Sequence, residues 1–316
     1  MYPETIKSNV YDLKDTETLA KVRKAGQIAS QARDYGASLI KLGVPLKEIL
    51  DKVEAKIKEL GGGLAFPAQI NRNDIAAHYC SAHDDEETCQ EGDIIKFDCG
   101  VHIDGYVGGD TAVTVYLGKD KRIEKLKNAS KKALQAAIKA VKPGVTNGEL
   151  GKIIGDVITG EGFVPIKNLS GHGVGRYCVH TSPGIPNFAT GANFKLEPGM
   201  VIAIEPFASD GAGMVYEDSE AEVFMMVNKR PVRNPIVRNV LKEIDKFKGL
   251  PFAPRWIMEK KGMTPQKVAY ALNELQKAEM VRAYPPLIDK NRGLVSQHEH
   301  TILVTEDGCE VLTKEL

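Results

Sequence analysis

Several things are scarce in this sequence, and each shortage closes off a class of function. Excess charge is absent: 42 basic residues stand against 42 acidic ones, for a net charge of zero. A chain that grips nucleic acid through its phosphates concentrates basic charge. With no charged tail at either end, nucleic acid is not an expected partner. Long apolar runs are absent too. The longest, "MVIAI" at 200–204, is far short of the ~20 residues that cross a bilayer. The opening stretch "MYPETIKSNVYDLKDTETLA" lacks the apolar core of a signal peptide. No membrane is expected, and the expected location is the cytoplasm. The five cysteines, at 80, 89, 99, 178 and 309, are odd in number and form no CxxC pair. They read as reduced thiols.

What is present is a repeat. Residues 17–42 carry a helical pattern ended by "LGVP", a second helix runs from Pro45 to about Leu60, and "GGG" and "FP" follow. Residues 123–141 restart the plan: helix, "KPGV", a helix from Thr146 to about Gly160, then "GFVP". Each helix pair leads to a His-bearing segment and a strand with an acidic end. "GDIIKFD" puts Asp98 six after Gly92, and "GMVIAIE" puts Glu205 six after Gly199. Two helix–helix–strand halves predict a pseudo-twofold α/β (α+β) domain with a site at the join. Residues 230–292 differ in texture. Thr264 caps a helix with Pro265 at its first position and Val268, Ala271, Leu272 and Leu275 as its apolar stripe. "VRAYPPL" and "LVSQHEHTILV" read as a strand pair completing a winged-helix-like insertion. "AEVFMMV" and "HTILV" read as neighbouring strands on either side of it.

The stretch "KFDCGVHIDGYVGGDTAVTV" reads as a hairpin with Asp98 ending one strand and Asp110 starting the next. Asp is a poor strand former and is rarely buried without a partner. Three more polar groups intrude on apolar or glycine-rich segments: His172 in "SGHGVGRYCVH", Glu205 in "MVIAIEPF", and Glu299 in "SQHEHTILV". Any one of these alone reads as a capping or surface residue; all five together do not. Four clustered carboxylates stay ionised at neutral pH only with cations among them. Two divalent ions would balance them, and a mixed carboxylate–imidazole set suits Mn, Fe, Co or Zn better than Ca. Such a pair is a common device for hydrolysis.

The ordered set "NDIAAHYC", "DCGVHIDGYVGGDTAV", "SGHGVGRYCVH", "AIEPF" and "HEHTILV" resembles the type 2 methionine aminopeptidases over nearly the whole chain. The lack of a charged N-terminal extension resembles the archaeal form. The resemblance implies the pita-bread fold for 1–316, with 230–292 as the helical insertion that marks type 2. It implies Asp98, Asp110, His172, Glu205 and Glu299 as metal ligands, Asp110 and Glu299 bridging two ions. Hydroxide generated at the ions would then attack the first peptide bond. It further implies His78 at the scissile amide, His180 on the tetrahedral intermediate and Glu205 as proton shuttle. Phe66, Val179, His180 and Tyr284 sit where the family has the walls of its methionine pocket. The implied substrates are nascent chains and peptides that begin with Met and have a small second residue, and a monomer is expected.

In the family the two hairpin Asp residues stand one residue closer than 98 and 110. A β-bulge at Gly108–Gly109 would absorb the difference and keep Asp110 on the same face. Proline-specific peptidases of the same fold are the nearest rival, but carry an additional N-terminal domain. The remaining histidines are expected to be bystanders: His83 in an acidic loop, and His298 and His300 on the strand face opposite Glu299.

Overall fold

In the computed structural model, which describes residue 5 and residues 7–314, the Asp15 carboxylate accepts the Thr18 N–H and opens α1, Thr16–Leu39. Gly43, at φ 77°, turns the chain into α2, Leu46–Glu59. Strands β1 (Gly63–Arg72) and β2 (Ile75–Ala77) follow. Next come β3, Ile94–Ile103, and β4, Tyr106–Tyr116. These two join through Asp104–Gly105, both at positive φ (50° and 86°), the dipeptide favoured in a tight two-residue hairpin turn. The short turn lets both strands run longer than the sequence pattern suggests. Asp98 and Asp110 therefore lie inside β3 and β4 rather than at their ends.

The pairing contains the bulge. His102 pairs with Val107 but Val101 pairs with Gly109, which leaves Gly108 without an opposite number. Beyond that step Gly100 faces Asp110 and Asp98 faces Ala112. Asp98 and Asp110 are thus diagonal neighbours on one face. α1 presses on this hairpin so closely that a Cβ on Gly108 would come within 2.1 Å of the Val22 carbonyl oxygen. Only glycine fits there.

The second half repeats the order with α3 (Lys121–Ala140) and α4 (Asn147–Gly160), the latter opened by a Thr146–Glu149 capping box. Strands β5 (Val164–Pro165), β6 (Ser170–Gly175), β7 (Cys178–Pro186) and β8 (Val201–Ile204) follow. After β9 (Phe207–Ser209), β10 (Val215–Glu217) and β11 (Phe224–Met226), the chain makes a helical excursion. It consists of α5 (Pro235–Ile244), α6 (Pro254–Met258) and α7 (Pro265–Lys277), and returns as β12 (Val281–Ala283). Thr264 caps α7 and the four apolar residues read from the sequence are its buried face. The chain closes with β13 (Leu287–Asp289), β14 (Val295–Gln297), β15 (His300–Val304) and β16 (Cys309–Val311).

Two sequence expectations about this region do not hold. "VRAYPPL" and "LVSQHEHTILV" do not pair with each other: β12 pairs with β11, β13 with β10 and β2, and β14 with β9. Nor is β11 beside β15, whose neighbours are β8 and β16. Each segment pairs with strands elsewhere in the fold, so no wing forms between them.

The two main sheets, β1-β3-β4 and β16-β15-β8-β6-β7, are stitched together along β4. Thr301 Oγ1 accepts the Asp110 N–H and donates to the Asp110 carbonyl, both at 2.8 Å. The Glu299 N–H donates to the Ala112 carbonyl at 3.0 Å. Thr114 Oγ1 donates to the Gln297 carbonyl. The seam between the halves therefore passes through two of the five polar intrusions.

The helical excursion is tied to the first half by a buried ion pair. Arg255 (4% exposed) holds Glu54 (3%) with two N–H···O bonds of 2.6 and 2.9 Å, and Trp256 Nε1 donates to the same carboxylate at 2.7 Å. Removing Arg255 leaves Glu54 buried without a cation, which costs about 3–5 kcal/mol, whereas Arg255 without Glu54 keeps Asp51 at 3.1 Å. Arg255→Met should lower stability by that order in urea unfolding, and a loss below ~1 kcal/mol would show the pair is not buried in solution.

Candidate active site

The five polar intrusions converge. Asp98 and Asp110 project from the hairpin, Glu205 stands just past β8, His172 lies within β6, and Glu299 enters just before β15; all five line one pocket. One ligand atom each of Asp110, His172 and Glu299 lie within 4.8 Å of one another. Glu205 Oε1 is 3.3 Å and Asp110 Oδ2 3.8 Å from His172 Nε2. Asp98 stands outside this group of three, with Gln297 Nε2 at 3.5 Å from its Oδ2.

The electrostatics of this cluster are unfavourable as protein alone. Burial pushes the Asp98 carboxyl up to about 7. Burial and the neighbouring carboxylates push Asp110, Glu205 and Glu299 well above their usual range. Burial holds His172 neutral. Its Nδ1 lies 3.1 Å from the Gly173 carbonyl, which fixes the proton there and turns the Nε2 lone pair toward the carboxylates. Asp98 Oδ1 and Asp110 Oδ2 are buried with no hydrogen-bond partner. Orphaned carboxylate oxygens around an imidazole lone pair are a donor set for divalent cations, so the residues present fit the metal their chemistry implies.

A pH effect follows. With cations absent, the folded protein holds protons on these carboxylates that the unfolded chain releases, so rising pH favours unfolding between their unfolded and folded pKa values. The buried imidazoles act in the opposite sense, but only below their unfolded value of about 6.5. Between pH 6.5 and 8.5, the melting temperature of chelator-treated protein should therefore fall relative to that of metal-loaded protein, since buried Lys96, whose pKa is lowered, acts in the opposite sense but equally in both forms. Parallel curves for the two forms would contradict this.

The other wall is built for an apolar side chain. Phe66 pairs with Gly100 across β1 and β3, and its ring occupies the space a Gly100 Cβ would need. Val179, Tyr284 and, from the excursion side, Val223 and Pro251 complete the lining. His78 sits at the junction of the two walls with φ 70°, a left-handed conformation that is unusual for histidine. Its N–H donates to Gln69 Oε1 at 2.7 Å and its ring meets Tyr284 edge-on at 5.7 Å. Burial lowers its pKa to about 4, and its Nδ1 has no partner. His180, at the mouth, lies 4.2 Å ring to ring from His172.

All ten residues singled out in the sequence line this pocket. Gln69, Ala77, Val223, Pro251 and Gln297 line it as well and were not singled out. Gln297 had a signal: it lies two before Glu299 and so shares its strand face. Val223 and Pro251 had none, because Val223 precedes the helical excursion and Pro251 lies within it, and only the assembled fold brings them here. His298 and His300 face away from the pocket, bonded to Ser130 and Thr313. His83 is exposed beside Asp84.

Residues 20–306 match the model of metallopeptidase family M24. A methionine aminopeptidase of Archaeoglobus fulgidus is 44% identical over 95% of this chain and 100% of its own. One from Methanocaldococcus jannaschii is 42% identical over the same shares. The crystal structure of a methionine aminopeptidase from Thermotoga maritima superposes with a TM-score of 0.71 at 26% identity, covering 96% of this chain and 99% of that one. A Pyrococcus furiosus prolidase shares the fold, with a TM-score of 0.61 at 20% identity, but this chain covers 65% of its length. The chain belongs to metallopeptidase family M24, in its methionine aminopeptidase branch.

Proposed function

We propose that the protein removes the N-terminal methionine from peptides and nascent chains whose second residue is small. Asp98, Asp110, His172, Glu205 and Glu299 would hold two divalent ions. The single observation that carries this is five potential ligands in one pocket, with orphaned oxygens on Asp98 and Asp110 and an oriented imidazole. Bound there, the ions supply an acidified water and polarise a carbonyl.

The remaining steps belong to the chain. The wall of Phe66, Val179 and Tyr284 takes the thioether side chain, for which aromatic edges are favourable partners. The Nδ1 of neutral His78 accepts from the scissile amide N–H and orients it. His180 donates to the oxygen of the tetrahedral intermediate. Glu205 accepts the proton of the attacking water and returns it to the departing amine. A cytoplasmic monomer is the form in which this site would meet newly made chains. Rates on Met-Gly, Met-Leu and Xaa-Pro peptides test the reading. Rapid release of Met from Met-Gly, slow release from Met-Leu and none from Xaa-Pro are expected. Equal turnover of the first two would remove the small-residue specificity, and Xaa-Pro cleavage alone would remove the assignment.

A further inference from the structure

Behind the metal-ligand strands lies a second cavity, of about 410 Å³. It opens on the reverse face of β4 and β15, reached by the two histidines that flank Glu299. Its polar lining is Arg33, Lys131, Gln135, His298, His300 and Lys314. Arg33 is 3% exposed and is anchored to Thr111 Oγ1 at 3.0 Å, to the Thr313 carbonyl at 2.9 Å and to Asp34 at 2.8 Å. Among the described residues that half-exposed Asp34 is the only carboxylate in ion-pair contact with the cations of this lining.

The hydrogen-bond network sets the direction of His300. Thr313 Oγ1 accepts the Thr301 N–H at 3.2 Å, so its own proton is free for His300 Nδ1 at 2.9 Å. Arg33 also lies against that nitrogen, at 3.4 Å. The Arg33 N–H makes Nδ1 the acceptor, so Nε2 keeps the proton. Lys131 and Lys314 stand at the mouth. Among the described residues, three cations against one carboxylate leave an excess of two positive charges around this cavity. The side walls, Leu134, Ile138 and Val311, are aliphatic.

We infer that this cavity binds a phosphate monoester, its dianionic head held by Lys131, Lys314 and His300 Nε2 in the positive field of Arg33, whose own N–H groups are taken by Asp34, Thr111, Ser30 and the Thr313 carbonyl, and its organic part along the aliphatic wall. A dianion matches the charge excess, and a phosphate brings several strong acceptor oxygens to these donors. The cavity is also far larger than a bare phosphate needs. This inference is independent of the activity assigned to the metal pocket.

Calorimetric titration of metal-loaded protein with phenyl phosphate and with inorganic phosphate tests it. One saturable site is expected, tighter for phenyl phosphate. The exposed-residue double variant Lys131→Glu/Lys314→Glu should weaken it at least tenfold, with KM for a Met peptide unchanged. A distant double variant of equal charge, Lys260→Glu/Lys261→Glu, should bind as the parent does. Absence of binding would overturn the inference, as would equal weakening in both variants or unweakened binding that competes with the Met peptide. Equal affinity for the two probes would overturn the monoester class.

Discussion

Asp110→Asn should abolish both metal binding and methionine release, whereas removing one glycine of the Gly108–Gly109 pair should leave both largely intact. The two changes are two residues apart at most, so the contrast isolates what Asp110 does. Its Oδ2 is buried with no hydrogen-bond partner and faces His172 Nε2 at 3.8 Å. An amide there offers a neutral oxygen in place of an anionic one. The cost should exceed the roughly 10–100-fold typical of changes to residues that merely support a ligand. Deleting either glycine yields the same sequence, and the unpaired position opposite Val101 and His102 simply disappears. Asp110 would still face Gly100, on the face shared with Asp98. If the deletion instead costs as much as Asp110→Asn, the bulge is setting the position of Asp110 and the reading of it as locally absorbed is wrong.

His78→Ala and Glu205→Gln should fail in different ways. His78 lines the pocket but is not among the proposed ligands, so its loss should lower kcat by about 10²–10⁴-fold with the metal content unchanged. Because His78 holds a left-handed φ of 70°, His78→Asn is a useful second variant: Asn tolerates that conformation better than Ala. Glu205 Oε1 lies 3.3 Å from His172 Nε2, so Glu205→Gln should cost metal affinity as well as rate. Metal loss in both His78 variants would show that His78 belongs to the ligand set, and the division of roles would fail.

Much of the site was legible because it violates local rules. An Asp in the middle of an apolar strand, or a Glu at the mouth of one, is costly unless something balances it, and five such costs in order pointed to one place. The hairpin was legible from the alternating apolar residues of its two strands, and the extra residue from the spacing of the two Asp in the resembled family. Strand partners across the helical excursion were not. "VRAYPPL" carries a strand pattern, but nothing local says that its first half pairs with Met225 and its neighbours and its second half with β2 and β10. Pairing between segments so distant is decided by which faces the whole fold leaves open. The same holds for Glu54 and Arg255, which read as ordinary helix charges until α2 and α6 meet.

The central claim is that five side chains hold two divalent ions in one pocket, and metal content measures it directly. The protein is purified without oxygen or chelator, loaded with Mn, Fe, Co or Zn, and assayed for bound metal per chain beside Asp110→Asn. Two ions per chain are expected in the parent protein and fewer than one in the variant. A parent that binds no ion, or a variant that keeps both, would contradict it.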